Sequence, residues 1–151
     1  MSLKEQIERD LKTALLAGDA TRVTTLRSVK SVILNEEVAK GVRDSGLNDE
    51  SIIQLLAKES KKRQESADLY RQGSANDRAK QELDEKAIID AYLPEQLSEE
   101  KLQTIVDETV KSLNVSGQQA MGQVITQVKQ KVGAAADGSV IARLTKERLT
   151  R

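Results

Sequence analysis

Catalysis in this chain would have to rest on serine, threonine, lysine, tyrosine, aspartate or glutamate, because it holds neither histidine nor cysteine. The commonest general base and metal ligand is missing, and with it the Ser–His and Cys–His arrangements that activate a nucleophile. Carboxylates occur in adjacent pairs at Glu36-Glu37, Glu99-Glu100 and Asp107-Glu108. Adjacent residues on a helix point about 100° apart, so no such pair converges on one substrate bond as acid and base. There is no Gly-rich run ending in Lys-Ser or Lys-Thr to cradle phosphates, and no strand-linked G-x-G-x-x-G. The residues predict no catalytic site, no metal and no cofactor, and they turn attention to binding.

Two groups of cations are candidates for binding. Lys58, Lys61, Lys62, Arg63 and Arg71, with Tyr70 beside them, lie on one helical stretch and could form an anion or partner patch. Glu59, Glu65 and Asp68 are interleaved with them, as on a solvated helix face held by i,i+4 pairs such as Lys61–Glu65. The second group is Lys129, Lys131, Arg143, Lys146, Arg148 and Arg151 near the C-terminus. Formal net charge is zero, yet from Val115 onward six basic residues face two acidic ones, a local excess of +4. That segment permits contact with phosphates. Phe and Trp are absent and only Tyr70 and Tyr92 are aromatic, so stacking of single-stranded bases has no platform. Folded or duplex RNA, held by shape and backbone, needs no such platform.

The elements that position these groups are helices. Charged residues make up 32% of the 151 and apolar ones 38%, with eight glycines and one proline, a profile for helix-on-helix packing of Leu, Ile, Val and Ala. Leu3, Ile7, Leu11 and Ala14 recur at helical spacing until Gly18-Asp19 ends the run. A second helix is expected from about Ala20 to Lys40, with Val23, Leu26, Val29 or Lys30, Ile33 and Glu37 on one face. Asn48 or Asp49 caps a third that reaches about Gln72, and Asn76 or Asp77 caps a fourth, antiparallel to it across a short connection. Pro94 has no amide hydrogen and restricts Leu93, so helix must stop there. Ser98 with Glu99 and Glu100 then restarts a helix over Glu99–Leu113, followed by two more around Met121–Val132 and Val140–Leu149, the last capped by Asp137.

Leu26-Arg27, Asn35-Glu36, Lys62–Ser66, the YLPEQL of Tyr92–Leu97, Ser98-Glu99-Glu100, Met121-Gly122 and Asp137-Gly138 follow one another in an order and spacing that resemble the GatB/YqeY family, specifically its free-standing YqeY-like members. The resemblance covers essentially the whole chain. It implies an all-α protein: a helical N-terminal domain of about four helices over 1–93, a hinge at 94–97, and a three-helix domain over 98–151. The latter is similar to the tail domain of the B subunit of the glutamine-dependent tRNA amidotransferase, a carbon–nitrogen ligase whose tail recognises the outer corner of tRNA. The chemistry of that enzyme sits in a domain with no counterpart here. The resemblance therefore implies a non-catalytic accessory protein linked to tRNA or to amidotransferase subunits, with Lys129, Lys131, Arg143 and Lys146 on the RNA backbone. The chain departs from the family at Ala120, Gln123 and Ala135, where charge is usual. The alternative is a helical protein–protein adaptor that docks a partner beside Arg63 and Tyr70. The start, MSLKEQIERDLK, lacks an apolar leader and no apolar run could span a bilayer, so the expectation is a soluble cytoplasmic protein without membrane contact.

Overall fold

A computed structural model describes residues 1–151 and is all-α, with seven helices and no strand. They are α1 (Leu3–Ala17), α2 (Ala20–Ala39), α3 (Asp49–Gln72), α4 (Asn76–Asp90), α5 (Glu99–Leu113), α6 (Met121–Val132) and α7 (Gly138–Leu149). The chain forms two compact units, Met1–Leu93 and Pro94–Arg151.

Most helix ends follow from local chemistry. Ser2 and Glu5 form a reciprocal capping box at α1, satisfying two amides that the helix itself cannot. Gly18 closes α1 in the left-handed conformation at φ +68°, which glycine adopts without a Cβ penalty. Asp19 immediately caps α2 by accepting the Arg22 amide. Asn48, Ser98 and Asp137 cap α3, α5 and α7 as their side chains predict. The start of α4 differs from expectation. Its N-cap is Ala75, with no side-chain bond, rather than Asn76 or Asp77. Backbone bonds close this turn instead: the amides of Gly73, Ser74 and Ala75 donate to the carbonyls of Leu69, Arg71 and Tyr70. After Gly117 the chain makes a single 3₁₀ turn, Gln118–Ala120, before α6 begins.

In the first unit Ile7, Leu11, Leu26, Val29, Ile33, Ile52, Leu56 and Ile89 form one buried cluster, with Tyr92 and Leu93 packed against it. Each such side chain, fully buried, stabilises by about 1.5–3 kcal/mol before entropy is charged against it. Beyond Leu56 the α3–α4 pair packs on small and polar residues, Ser60, Ala67, Ala79 and Glu85. Contacts join residue 60 to 90, 63 to 82 and 85, and 70 to 78, a register that only antiparallel helices give.

In the second unit Leu102, Val106, Val110, Ala120, Val124, Val128, Ile141, Leu144 and Leu149 fill the space between α5, α6 and α7. Its entry segment is tied down by two bonds. The Gln96 side-chain amide and the Leu97 backbone amide donate to the carbonyls of Ala134 and Ala135, each at 2.8 Å. No helix is long and apolar enough to cross a membrane.

Candidate functional site

The C-terminal cations divide into paired and unpaired. Lys129 and Lys131 stand two residues apart on α6, so they leave the helix about 200° apart. Lys131 leans onto α5, where its Nζ donates to Thr109 Oγ1 at 2.9 Å. Lys129 runs the other way, over the start of α7. Its Cε and Nζ lie 3.4 and 3.5 Å from where a Cβ on Gly138 would stand, so the missing side chain of that glycine leaves room for the lysine. On α7, Arg143 is bonded to Glu99 at the start of α5 and, at 3.4 Å, to Glu147 one turn along its own helix. Arg148 pairs with Asp107 at 3.1 Å. Lys146 is exposed and carries no ion pair. The four residues chosen from sequence are thus two unpaired lysines, Lys129 and Lys146, one lysine on a hydroxyl, and one arginine held by two carboxylates.

The Arg143 pairs are open to water: the side chains of Arg143, Glu99 and Glu147 are 47%, 63% and 52% exposed. Exposed pairs of this kind contribute about 0.2–1 kcal/mol, so they bias the arginine without fixing it.

The first-unit group is arranged differently. Lys58, Lys61 and Lys62 are exposed on α3, and Lys62 pairs with Glu59 at 3.3 Å. Arg63 turns away from them, with a side chain only 15% exposed, between α2 and α4. Its terminal nitrogens reach Ser28 at 3.4 Å, Glu85 at 3.6 Å and Glu82 at 3.9 Å, while Nε is buried with no partner. Tyr70 is engaged by Arg78 of α4, whose guanidinium carbon lies 5.9 Å from the ring centre. The structure does not bring these residues together as one positive surface. Arg63 and Tyr70 clamp α3 to its neighbours, and the lysines face outward.

Other polar groups inside the first unit were given no role by the sequence. Glu37 is fully buried on α2, where both carboxylate oxygens accept from Lys4 Nζ at 3.0 Å and one accepts the Leu47 amide at 2.9 Å. The hydrogen bond from Lys4 holds its pKa below the usual carboxylate value against the opposing effect of burial, with help from the Leu47 amide. Gly46 passes so close that a Cβ would stand 3.1 Å from Glu37 Oε2, at a backbone φ of +77°. Ser60 donates to Asp90, which also takes Lys86 at 2.6 Å. Tyr92 donates to Asp10 at 2.5 Å, and burial together with that carboxylate raises the phenol pKa well above its ordinary value. The signal for Glu37 was present, since it falls on the apolar stripe of α2. Its partner Lys4 lies 33 residues earlier, beyond the reach of a local pattern.

Seven helices in two units, a three-helix unit with an apolar core and cations on its rim and a larger unit that buries the carboxylates Glu37 and Glu85, define an all-α protein. The model of the YqeY-like protein family matches residues 4–149, and the chain belongs to that family. Among curated proteins it is similar to the protein named Altered inheritance of mitochondria protein 41, mitochondrial, in several yeasts. Identity is 33% over 87 residues to that of Eremothecium gossypii, covering 58% of this chain and 46% of the relative. It is 26% over 127 residues to that of Saccharomyces cerevisiae, covering 84% and 66%, and 32% over 111 residues to that of Clavispora lusitaniae, covering 73% and 59%. The chain spans roughly half to two thirds of the length of these relatives. Their names correct the cytoplasmic expectation, because every one of them is a mitochondrial protein by name. The physical reason is plain. An apolar leader is the mark of a secretory signal, whereas mitochondrial targeting segments are amphipathic and basic, so an apolar-leader criterion does not bear on a mitochondrial protein.

Proposed function

We propose that this YqeY-like chain is a non-catalytic accessory protein whose Pro94–Arg151 unit contacts the phosphate backbone of folded RNA of the tRNA type, in the setting of glutamine-dependent tRNA amidotransferase biology. In this reading 1–93 and 98–151 act as separate domains about a hinge at 94–97. A mitochondrial setting is carried over from the names of the relatives. The observation that carries the reading is the pair of unpaired lysines, Lys129 over the start of α7 and Lys146 further along it, on a unit that has no aromatic side chain. Lysines without carboxylate partners give up no ion pair on meeting a phosphate, and a surface without aromatics suits a folded RNA better than splayed bases. With few phosphate contacts the affinity is modest, of the order of 10⁻⁵ M, and strongly salt-dependent.

The test is fluorescence anisotropy of labelled bulk tRNA titrated with the full chain at low and physiological salt. Saturable binding that weakens with salt is expected. Replacing Lys129 and Lys146 together by glutamine should flatten the dependence of log K on log salt by about 1.5. Absence of binding at low salt, or a slope that the double variant leaves untouched, overturns it.

A second reading, a docking module for a protein helix, is supported by one feature of the first unit. A cleft of about 250 Å³ between α1 and α2 is floored by Ile7 and Ile33, and Leu34 and Val38 are exposed on α2 beside it. If tRNA does not bind, a pull-down with amidotransferase subunits, repeated with Leu34→Glu, separates the two readings.

A further inference from the structure

Arg143 is the one cation of the α7 face that is held on two sides by acids, Glu99 from α5 and Glu147 from its own helix. Both pairs lie at the surface, and neither acid is the only group that serves its helix end. Ser98 rather than Glu99 supplies the side-chain cap of α5, and Glu100 puts a second carboxylate in the same first turn where the dipole favours Glu99. Glu147 stands in the last turn of α7, where the dipole disfavours negative charge. An arginine loosely held by exposed carboxylates can exchange them for a phosphate, whose oxygens match the same two-pronged donor. The exchange costs whatever the two pairs contribute, and it brings two negative charges close to the incoming phosphate.

We infer that Glu99 and Glu147 form a built-in acidic mask over Arg143, which sets how tightly the α7 face holds an RNA phosphate. This rests on the RNA reading above and deepens it. Lys129 and Lys146 make the basal contact. Arg143 is a reserve contact, engaged only when the mask is displaced. The mask makes binding weaker and less steeply salt-dependent than the cations of the face would otherwise give.

The experiment repeats the tRNA titration with four full-length proteins: the wild type, Glu99→Gln/Glu147→Gln, the same double variant carrying Arg143→Gln, and Glu100→Gln/Glu108→Gln. The last pair changes net charge equally but touches two exposed acids that have no bond to Arg143. Helical ellipticity on heating confirms that each remains folded. Removing the mask should tighten binding about fivefold at low salt, the product of two exposed pairs, and steepen the salt slope by about 0.8, one additional phosphate. Adding Arg143→Gln should return both quantities to the wild-type values, and the control pair should shift affinity less than twofold. Equal gains in the mask and control variants would show net charge alone and overturn the mask. So would a gain that survives loss of Arg143. In both cases wild-type binding persists and the RNA reading stands. Failure of all four proteins to bind at low salt removes the RNA reading itself, and the mask with it.

Discussion

The two units differ in whether they bury charge. In Met1–Leu93 two carboxylates are buried, Glu37 on Lys4 and Glu85 beside the largely covered Arg63, which also reaches Ser28 and Glu82. In Pro94–Arg151 the buried polar residues are only Thr109 and Thr145, and the ion pairs stay at the rim. Long helices packed on small residues can slide by a turn with little change in apolar burial. Buried pairs with directional bonds penalise such slips, which makes them devices of register more than of stability. The short α5–α7 unit has nine apolar side chains meeting in one cluster and needs no such device. Its ion pairs lie where water can replace them, so they add little to its stability.

The largest effect expected from this contrast lies at Arg63. Arg63→Ala leaves Glu85, which is 8% exposed, without its cation in a poorly hydrated place, and should cost about 3 kcal/mol. Both tyrosines belong to the first unit, so their fluorescence follows that unit alone, while helical ellipticity follows both. Urea unfolding should show the tyrosine transition shifted to lower denaturant, with a later phase in ellipticity unmoved. A loss under 1 kcal/mol would mean that Arg63 is solvated and the contrast between the units is false.

Next is acid sensitivity, from Glu37. Its folded pKa lies below the ordinary value of 4.5, so its carboxylate adds stability that is complete above about pH 4.5 and fades as pH falls through the folded value. Glu37→Gln should lower first-unit stability by about 2 kcal/mol at pH 7, because Lys4 and the Leu47 amide lose an anionic acceptor. The gap between wild type and variant should narrow as the pH is taken below about 4.5 and through the lowered folded value. Parallel curves over that range would place the acid sensitivity elsewhere.

A smaller change of opposite sign is expected in the second unit. The Thr145 hydroxyl is buried without a partner, a cost with no binding or register role to offset it. Thr145→Val keeps the branched shape and removes the orphan, so the unit should gain about 1 kcal/mol, read as a later ellipticity transition with the tyrosine signal unchanged.

How much of this was legible in the sequence follows the range of the interactions. Ser98 and Pro94 fixed the start of α5 and the end of the first unit's helices from neighbours only, and α5 occupies the expected Glu99–Leu113. Asn76 and Asp77 misled because Ser74, at φ +60°, and three backbone bonds close that turn without a side chain, which no pattern of residue types records. Arg63 stood on the stripe between Leu56 and Ala67, yet a charge on a stripe points inward only if another helix supplies acids, and Glu82 and Glu85 come from α4. The candidate RNA face was legible as a local excess of cations. Its mask was not, because Glu99 lies 44 residues from Arg143 and its place in the first turn of α5 gives it a local reason that hides the distant one.

The smallest effect separates the two arginines most sharply. Arg143 has two acidic partners, as Arg63 does, and a count of ion pairs would rank the two alike. Exposure ranks them apart: the Arg143 side chain is 47% exposed and that of Arg63 is 15%. Water replaces what Arg143 loses, and the freed Glu99 and Glu147 are themselves more than half exposed, so no charge is stranded. Arg143→Gln should therefore move the second unit's stability by no more than about 0.5 kcal/mol in thermal unfolding followed by ellipticity. A loss near that of Arg63→Ala would make Arg143 a structural clamp as well, and the contrast between a covered and an exposed arginine would fail.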